Sequence, residues 1–250
     1  MNGIHVELSP AVLTTIAGIP ITNTLVTSWA VMIILAVVGV LVSRNISLIP
    51  SKFQTTLEWA FGYVYDYVTE VLESRDLARK YFPFLMTIFL FIFLSNLLEF
   101  TPGVGSVGWF KGTEFTPLFR SVNTDLNVTE TLAIIVFTVV EIAVFAVLGT
   151  KAYLSKFFVN PFKSAMGTMV GIIELIGEFV RLISLSFRLF GNILAGEVLI
   201  IVATYFAPYF GPVPLMMFEL FIGFLQAAIF MLLALFYIKL AITEAHDDSH

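Results

Sequence analysis

Arg181-Leu-Ile-Ser-Leu-Ser-Phe-Arg188-Leu-Phe-Gly191-Asn192-Ile-Leu-Ala-Gly196-Glu197 lies inside a segment, about Met166 to Phe206, that is otherwise almost wholly apolar. An arginine in such a segment is expensive, at about 3 to above 10 kcal/mol for the centre of a bilayer. A chain keeps that group where it faces other protein or water, and usually because the charge does something. The run therefore points to a membrane-embedded helix with a functional cation, Arg188.

Working outward, the composition agrees. The 250 residues are 58% hydrophobic and 12% charged, against roughly 25% charged in soluble domains. Several apolar runs approach about 20 residues, the length that spans a bilayer as a helix. They are continuous rather than alternating, which argues against a β-barrel. The fold class expected is an all-α polytopic membrane protein in a lipid bilayer. There is no Cys, so disulfides and thiolate chemistry are excluded. The three His lie at the ends of the chain (His5, His246, His250), away from the apolar runs. No basic tract offers itself to nucleic acid, and no cofactor is implied.

The chain is read as one membrane domain, 1–250, with residues 1–20 outside on the membrane surface. Spans are expected over 22–42, 82–100 and 127–150, with an outside loop over 101–126. Between the first two, Phe53, Leu57, Phe61, Val64, Val68 and Leu72 recur at a helical period among acidic residues. Residues 52–81 thus read as an amphipathic helix, in the interface or packed on protein. Asn127-Val-Thr-Glu130 reads as a helix N-terminus. A long helix over 167–206 would reach roughly 60 Å, about twice the hydrocarbon thickness, so it must incline, bend or lie partly in plane. A turn at Gly211–Pro214, a final helix over 214–243 and an acidic tail, 244–250, complete the chain. Arg44, Lys52, Arg75, Arg79, Lys80, Lys151, Lys156 and Lys163 cluster on one side, against Lys111 and Arg120 on the other. That places the N-terminus outside and the C-terminus in the cytoplasm. The absence of an organellar transit segment suits a bacterial plasma (inner) membrane.

Helical geometry groups the polar residues. Arg181 and Glu174 lie seven and fourteen residues before Arg188, within roughly 40° of it on the wheel. Asn192 shares the stripe at i+4. Glu178 can pair with Glu174 or Arg181. Glu197 points to the opposite face. Glu219 and Gln226, seven apart, share a face of the final helix. Glu197 and Glu219 both fall on the outer half, where two nearby carboxylates in low dielectric would titrate as a unit. Glu99 and Glu141 read as structural hydrogen-bond partners. Arg188 has no carboxylate at i±3 or i±4, so its partner belongs to another element or another chain.

The run from Arg188 to Glu197 closely resembles the signature of the subunit a family of F-type ATP synthases. Ser184-Leu185, Glu174, Asp125-Leu-Asn-Val-Thr129 and Leu225-Gln226-Ala-Ala-Ile-Phe230 support the resemblance, which extends from the first span onward. It implies a stator beside a rotating ring of c subunits, with the subunit b peripheral stalk and the rest of the ATP synthase as partners. Two aqueous half-channels would meet the ring at different points. Arg188 would be the essential stator arginine, keeping the ring carboxylate ionised and blocking leakage. Asn192, Glu197, Glu219 and Gln226 would form the outer half-channel, and Glu174 with Glu178 the inner one. The resemblance implies proton translocation with no nucleotide chemistry in this subunit. Leu182 stands where many bacterial members have Pro, and Glu219 where some relatives have His. The rival readings are an independent secondary ion antiporter, against which the lack of an internal repeat weighs, and a passive anchor of a complex.

Overall fold

The computed structural model describes residues 10–16, 18–47, 50–101, 107–111, 114–149, 165–208 and 210–247. Lys151, Lys156, Lys163, residues 1–9 and the end of the acidic tail, 248–250, fall outside them, as does the side chain of Glu174. Five helices are long and apolar enough to cross a membrane, and a sixth is shorter and amphipathic. The chain has the all-α architecture of a polytopic membrane protein, with two small hairpins added.

Strands β1 (Val12–Ile16) and β2 (Ile19–Thr22) pair antiparallel, with Gly18 at φ +83° in the turn. The hairpin leads into α1 (Asn23–Arg44), where the Thr22 hydroxyl caps the helix by accepting from the Leu25 amide. The N-terminal end of α1 is polar and buried at Asn23, Thr24, Thr27 and Ser28. The rest of the helix presents Ile33, Val37, Val40 and Leu41 outward, as a lipid-facing helix does.

Helix α2 (Lys52–Leu72) ends earlier than its hydrophobic period implies. Glu73 adopts the left-handed conformation at φ 54°, and Ser74 caps a new helix, α3 (Arg75–Glu99), by accepting from the Leu77 amide. The single helix expected over 52–81 is thus two. Residues 75–81 belong to the second span, where Ala78 and Tyr81 are buried beside Leu85 and Ile92. The apolar period survives the break because the α2 and α3 faces flanking it, at Val68, Leu72 and Ala78, bury into one core.

The loop read over 101–126 contains a second hairpin, β3 (Gly108–Lys111) against β4 (Glu114–Pro117). Helix α4 (Leu126–Leu148) is capped by Asp125, not by the expected Asn127. Asp125 Oδ1 accepts from the Asn127 amide at 3.0 Å, and Oδ2 accepts the Thr24 hydroxyl of α1 at 2.6 Å. Asn127 instead donates its own side-chain amide to Asp125.

Helix α5 (Ala165–Phe206) is continuous over 42 residues, about 63 Å at 1.5 Å per residue. A tight turn follows, where the Gly211 amide donates to Ala207 O at 2.9 Å. The space there suits glycine, since a Cβ would stand 2.8 Å from that oxygen. Helix α6 (Pro212–Asp247) begins at once. Pro212 occupies the first helical position, where no amide hydrogen is needed. Helix α6 is the centre of the core: Ala227, Phe230, Ala234, Leu235 and Ile238 are buried where it packs against α3, α4 and α5. The C-terminal part of α6 is tied to the α2–α3 break by Lys239 and Glu73 at 3.0 Å.

Candidate functional site

The antiparallel pairing of α5 with α6 sets the site. On α5, Leu185, Leu189, Ile193 and Gly196 form the buried seam, while Val180, Ser184, Phe187, Arg188, Gly191 and Ala195 face outward. On α6, Glu219, Gly223, Gln226 and Phe230 are buried. Small residues at the seam let the polar groups meet. A Cβ on Gly196 would overlap the Glu219 carboxyl, so this carboxyl lies directly against the α5 main chain.

One turn inward, the Asn192 side-chain amide donates to Gln226 Oε1 at 2.7 Å. Asn192, Gly196, Glu219 and Gln226 line a cavity of about 390 Å³ whose other walls are apolar. Glu219 is only 4% exposed, yet its Oε1 has no hydrogen-bond partner among the described residues. The same holds for Gln226 Nε2 and Glu197 Oε2. A buried polar atom without a partner costs about 1–3 kcal/mol, and the Glu219 and Gln226 atoms at the wall of this cavity suit water as the compensating partner.

Glu197 points away from this cavity, as the half-turn spacing requires. It belongs to a second group, in which Arg120 acts electrostatically on both Glu99 and Glu197. Glu99 also feels Glu197 and Glu219, so the two groups form one electrostatic cluster. Glu99 accepts the Ser121 hydroxyl at 2.7 Å. Around it runs a buried polar layer: Asn123 Nδ2 donates to Asn96 Oδ1 at 2.6 Å, Asn96 Nδ2 to Gly223 O at 3.0 Å, and the Arg120 amide to Thr27 Oγ1 at 3.2 Å. Thr129 and Ser186 hydroxyls meet at 3.2 Å between α4 and α5.

Toward the N-terminal end of α5 the described residues hold one ion pair. Arg181 pairs with Glu178 at 2.7 Å, and its guanidinium lies 5.5 Å from the Tyr237 ring, within cation–π range. The pair of Glu178 with Arg181 is thus formed, while its alternative partner, the Glu174 side chain, lies outside the described residues. A water-sized cavity of about 20 Å³ adjoins Glu178, Arg181 and Tyr237. Glu174 lies one turn further along α5, with its side chain outside the described residues.

Arg188 sits between the two ends. It is exposed, with Phe187 and Ile183 exposed beside it, and it makes no hydrogen bond or ion pair among the described residues.

Of the residues singled out from the sequence, Asn192, Glu219 and Gln226 come together directly, and Glu197 joins them through the carboxylate cluster. Glu99, read from the sequence as a structural hydrogen-bond partner, and Arg120, Asn96 and Asn123 were not among the expected channel residues. The polar run Ser95-Asn96-Leu-Leu-Glu99 closing an apolar span was the signal for Asn96 and Glu99. Glu141 is half-buried in α4 and has no part in the cluster described here.

Residues 25–239 match the model of a family described as ATP synthase A chain. The ATP synthase subunit a of Desulfosudis oleivorans is 34% identical over 220 residues, covering 88% of this chain and 87% of the relative. That of Geotalea daltonii is 32% identical over 219 residues, with the same coverage of each. A subunit a from Propionigenium modestum, named as sodium ion specific, is 32% identical over 229 residues, covering 91% of this chain and 76% of the relative.

Proposed function

The chain belongs to the ATP synthase A chain family, and from that premise we propose how its residues move ions: two offset half-channels serve a rotating ring of c subunits, and Arg188 stands between them. As a member of that family it is an ion-translocating membrane subunit of the F-type ATP synthase. Nucleotide chemistry falls to other subunits.

The observation that carries the reading is Arg188. Every other arginine or carboxylate noted in the outer cluster and inner pair has protein groups around it. Arg188 alone faces outward, on the apolar side of α5, with no partner among the described residues. A guanidinium in an apolar surface is stabilised by an anion brought to it from outside. A carboxylate on each subunit of a turning ring supplies such an anion repeatedly. Opposite Arg188 the ring carboxylate is held ionised, because the charge pair is favourable in low dielectric. The guanidinium stays protonated and has no acceptor atom, so it passes no proton between the routes.

The outer route runs past Glu99, Glu197, Glu219 and Gln226 to Asn192, which lies four residues, about 6 Å of helix rise, from Arg188. The carboxyl groups take up and release protons, and the amides and water bridge the gaps. The inner route begins near Glu178 and Glu174, ten and fourteen residues to the other side of Arg188, or about 15 and 21 Å. Rotation of the ring is the only connection between the two. We assign H⁺ as the coupling ion. The chain would be set in a bacterial inner membrane with its N-terminus outside and its C-terminus in the cytoplasm, bound to the subunit b peripheral stalk as well as the ring.

The test is Arg188→Ala in the assembled complex. Near-complete loss of ATP-driven proton pumping and of proton-driven ATP synthesis is expected. Retained coupling in both directions would leave only the passive-anchor reading.

A further inference from the structure

The outer route depends on how α6 is turned about its own axis. Glu219 must aim at Gly196 and Gln226 at Asn192. A side chain reaches about 5.5 Å from the helix axis, so a 20° rotation would move its end by about 2 Å, enough to break a hydrogen bond of 2.7 Å such as Asn192–Gln226. Something must hold α6 from the side away from α5.

Gly223 lies four residues after Glu219 and three before Gln226, between the two groups. Asn96 of α3 donates Nδ2 to the Gly223 carbonyl at 3.0 Å. That carbonyl has a second lone pair to offer beyond its helical hydrogen bond. Asn123 donates to Asn96 Oδ1 at 2.6 Å, which orients the Asn96 amide so that its NH₂ faces Gly223. Asn96 and Asn123 are both essentially inaccessible, at 2% and 0% exposure. Gly223 is needed for the approach, since a Cβ there would stand 2.9 Å from Asn96 Cβ.

We propose that Asn96 is a positioning residue for the outer route: it clamps the α6 main chain at Gly223, and Asn123 holds the clamp in its donating orientation. The inference rests on the reading that Glu219 carries protons. The clamp acts through rotation, not by contact with the ion. Glu219 acts electrostatically on Glu99 of α3, which in turn feels Glu197 of α5 and Arg120 of the segment before α4, so a small turn of α6 changes the distance between Glu219 and Glu99.

The test measures ATP-driven proton pumping by the complete complex in liposomes as a function of outer-side pH, for Glu219→Gln, Asn96→Ala and the double variant. Asn96→Ala is expected to lower pumping on the order of tenfold at normal complex content, and to displace the pH profile. Added to Glu219→Gln it should change little further, because both act on the same group. An unchanged pH profile for Asn96→Ala, or a full additional tenfold loss in the Glu219→Gln background, would overturn the clamp. Should Asn96→Ala reduce assembly, Asn123→Ala decides: a displaced profile supports the clamp and an unchanged one overturns it. An unaltered profile for Glu219→Gln alone would overturn the underlying reading and the clamp with it. A changed Glu219→Gln profile beside an unchanged Asn96→Ala profile would overturn the clamp alone.

Discussion

The outer and inner halves of the α5–α6 hairpin are built by different means. The outer half gathers polar groups from α1, α3, α5, α6 and the segment before α4, most of them buried and many hydrogen-bonded across long stretches of sequence. The inner half draws its ion pair from a single turn of α5, with a tyrosine of α6 beside it. The outer half therefore behaves as a network, whose members fail together. The inner half behaves as a local pair whose loss stays local.

That contrast can be broken or sharpened by substitution. The largest of these effects is expected at Glu219. Glu219→Gln keeps shape and removes the ionisable group, so proton pumping by assembled complexes should fall on the order of 100-fold. Its dependence on outer pH should lose the step that Glu219 contributes, as measured by pH-dye quenching in liposomes. Gly196→Ala comes next. The added methyl overlaps the Glu219 carboxyl, so the carboxyl must move while its charge remains. A loss on the order of tenfold is expected, and wild-type pumping rates would show that the close approach is dispensable.

Asp125→Ala should act on stability rather than on the turnover of complexes that survive. It removes the cap of α4 and the carboxylate acceptor of the buried Thr24 hydroxyl, together about 2 kcal/mol. A lowered thermal midpoint of the purified complex, with a near-normal rate per complex, is the outcome that fits. The smallest effect belongs to the inner pair. Arg181 pairs with a residue one turn away on its own helix, remote from the outer cluster, so its loss should leave that cluster in place. Arg181→Ala should change pumping by less than about threefold. A loss as large as that of Glu219→Gln would show that the inner half is a network too.

The same contrast explains what could be read from the sequence. The Arg181–Glu178 pair was legible as one of two options, because i,i+3 spacing alone brings the groups together. The stripe containing Arg188, the long continuous helix and the membrane-spanning lengths followed from periodicity and hydropathy. The Asn192–Gln226 contact needed the register of two helices joined by a turn, which spacing within each helix leaves open. Glu99, Arg120, Asn96 and Asn123 come from three separate stretches and share no period, so only tertiary structure collects them. The break at Glu73 was illegible for another reason: glutamate rarely signals a left-handed residue, and the apolar period runs on through it. Asp125 took the cap from Asn127 because Thr24, a hundred residues away, adds a second hydrogen bond.

On the proposed function, two routes of opposite access flank Arg188 and connect only through the turning ring. The chain contains no cysteine, so a single-cysteine variant carries one thiol in this subunit, read on the band of this subunit alone. Ala195→Cys, in the outer cavity lining, and Glu178→Cys, at the inner cavity, can be exposed to a membrane-impermeant thiol reagent added to one side of oriented vesicles holding the complete complex. The account predicts that Ala195→Cys is modified only from outside and Glu178→Cys only from the cytoplasmic side. Modification of both from the same side would contradict it.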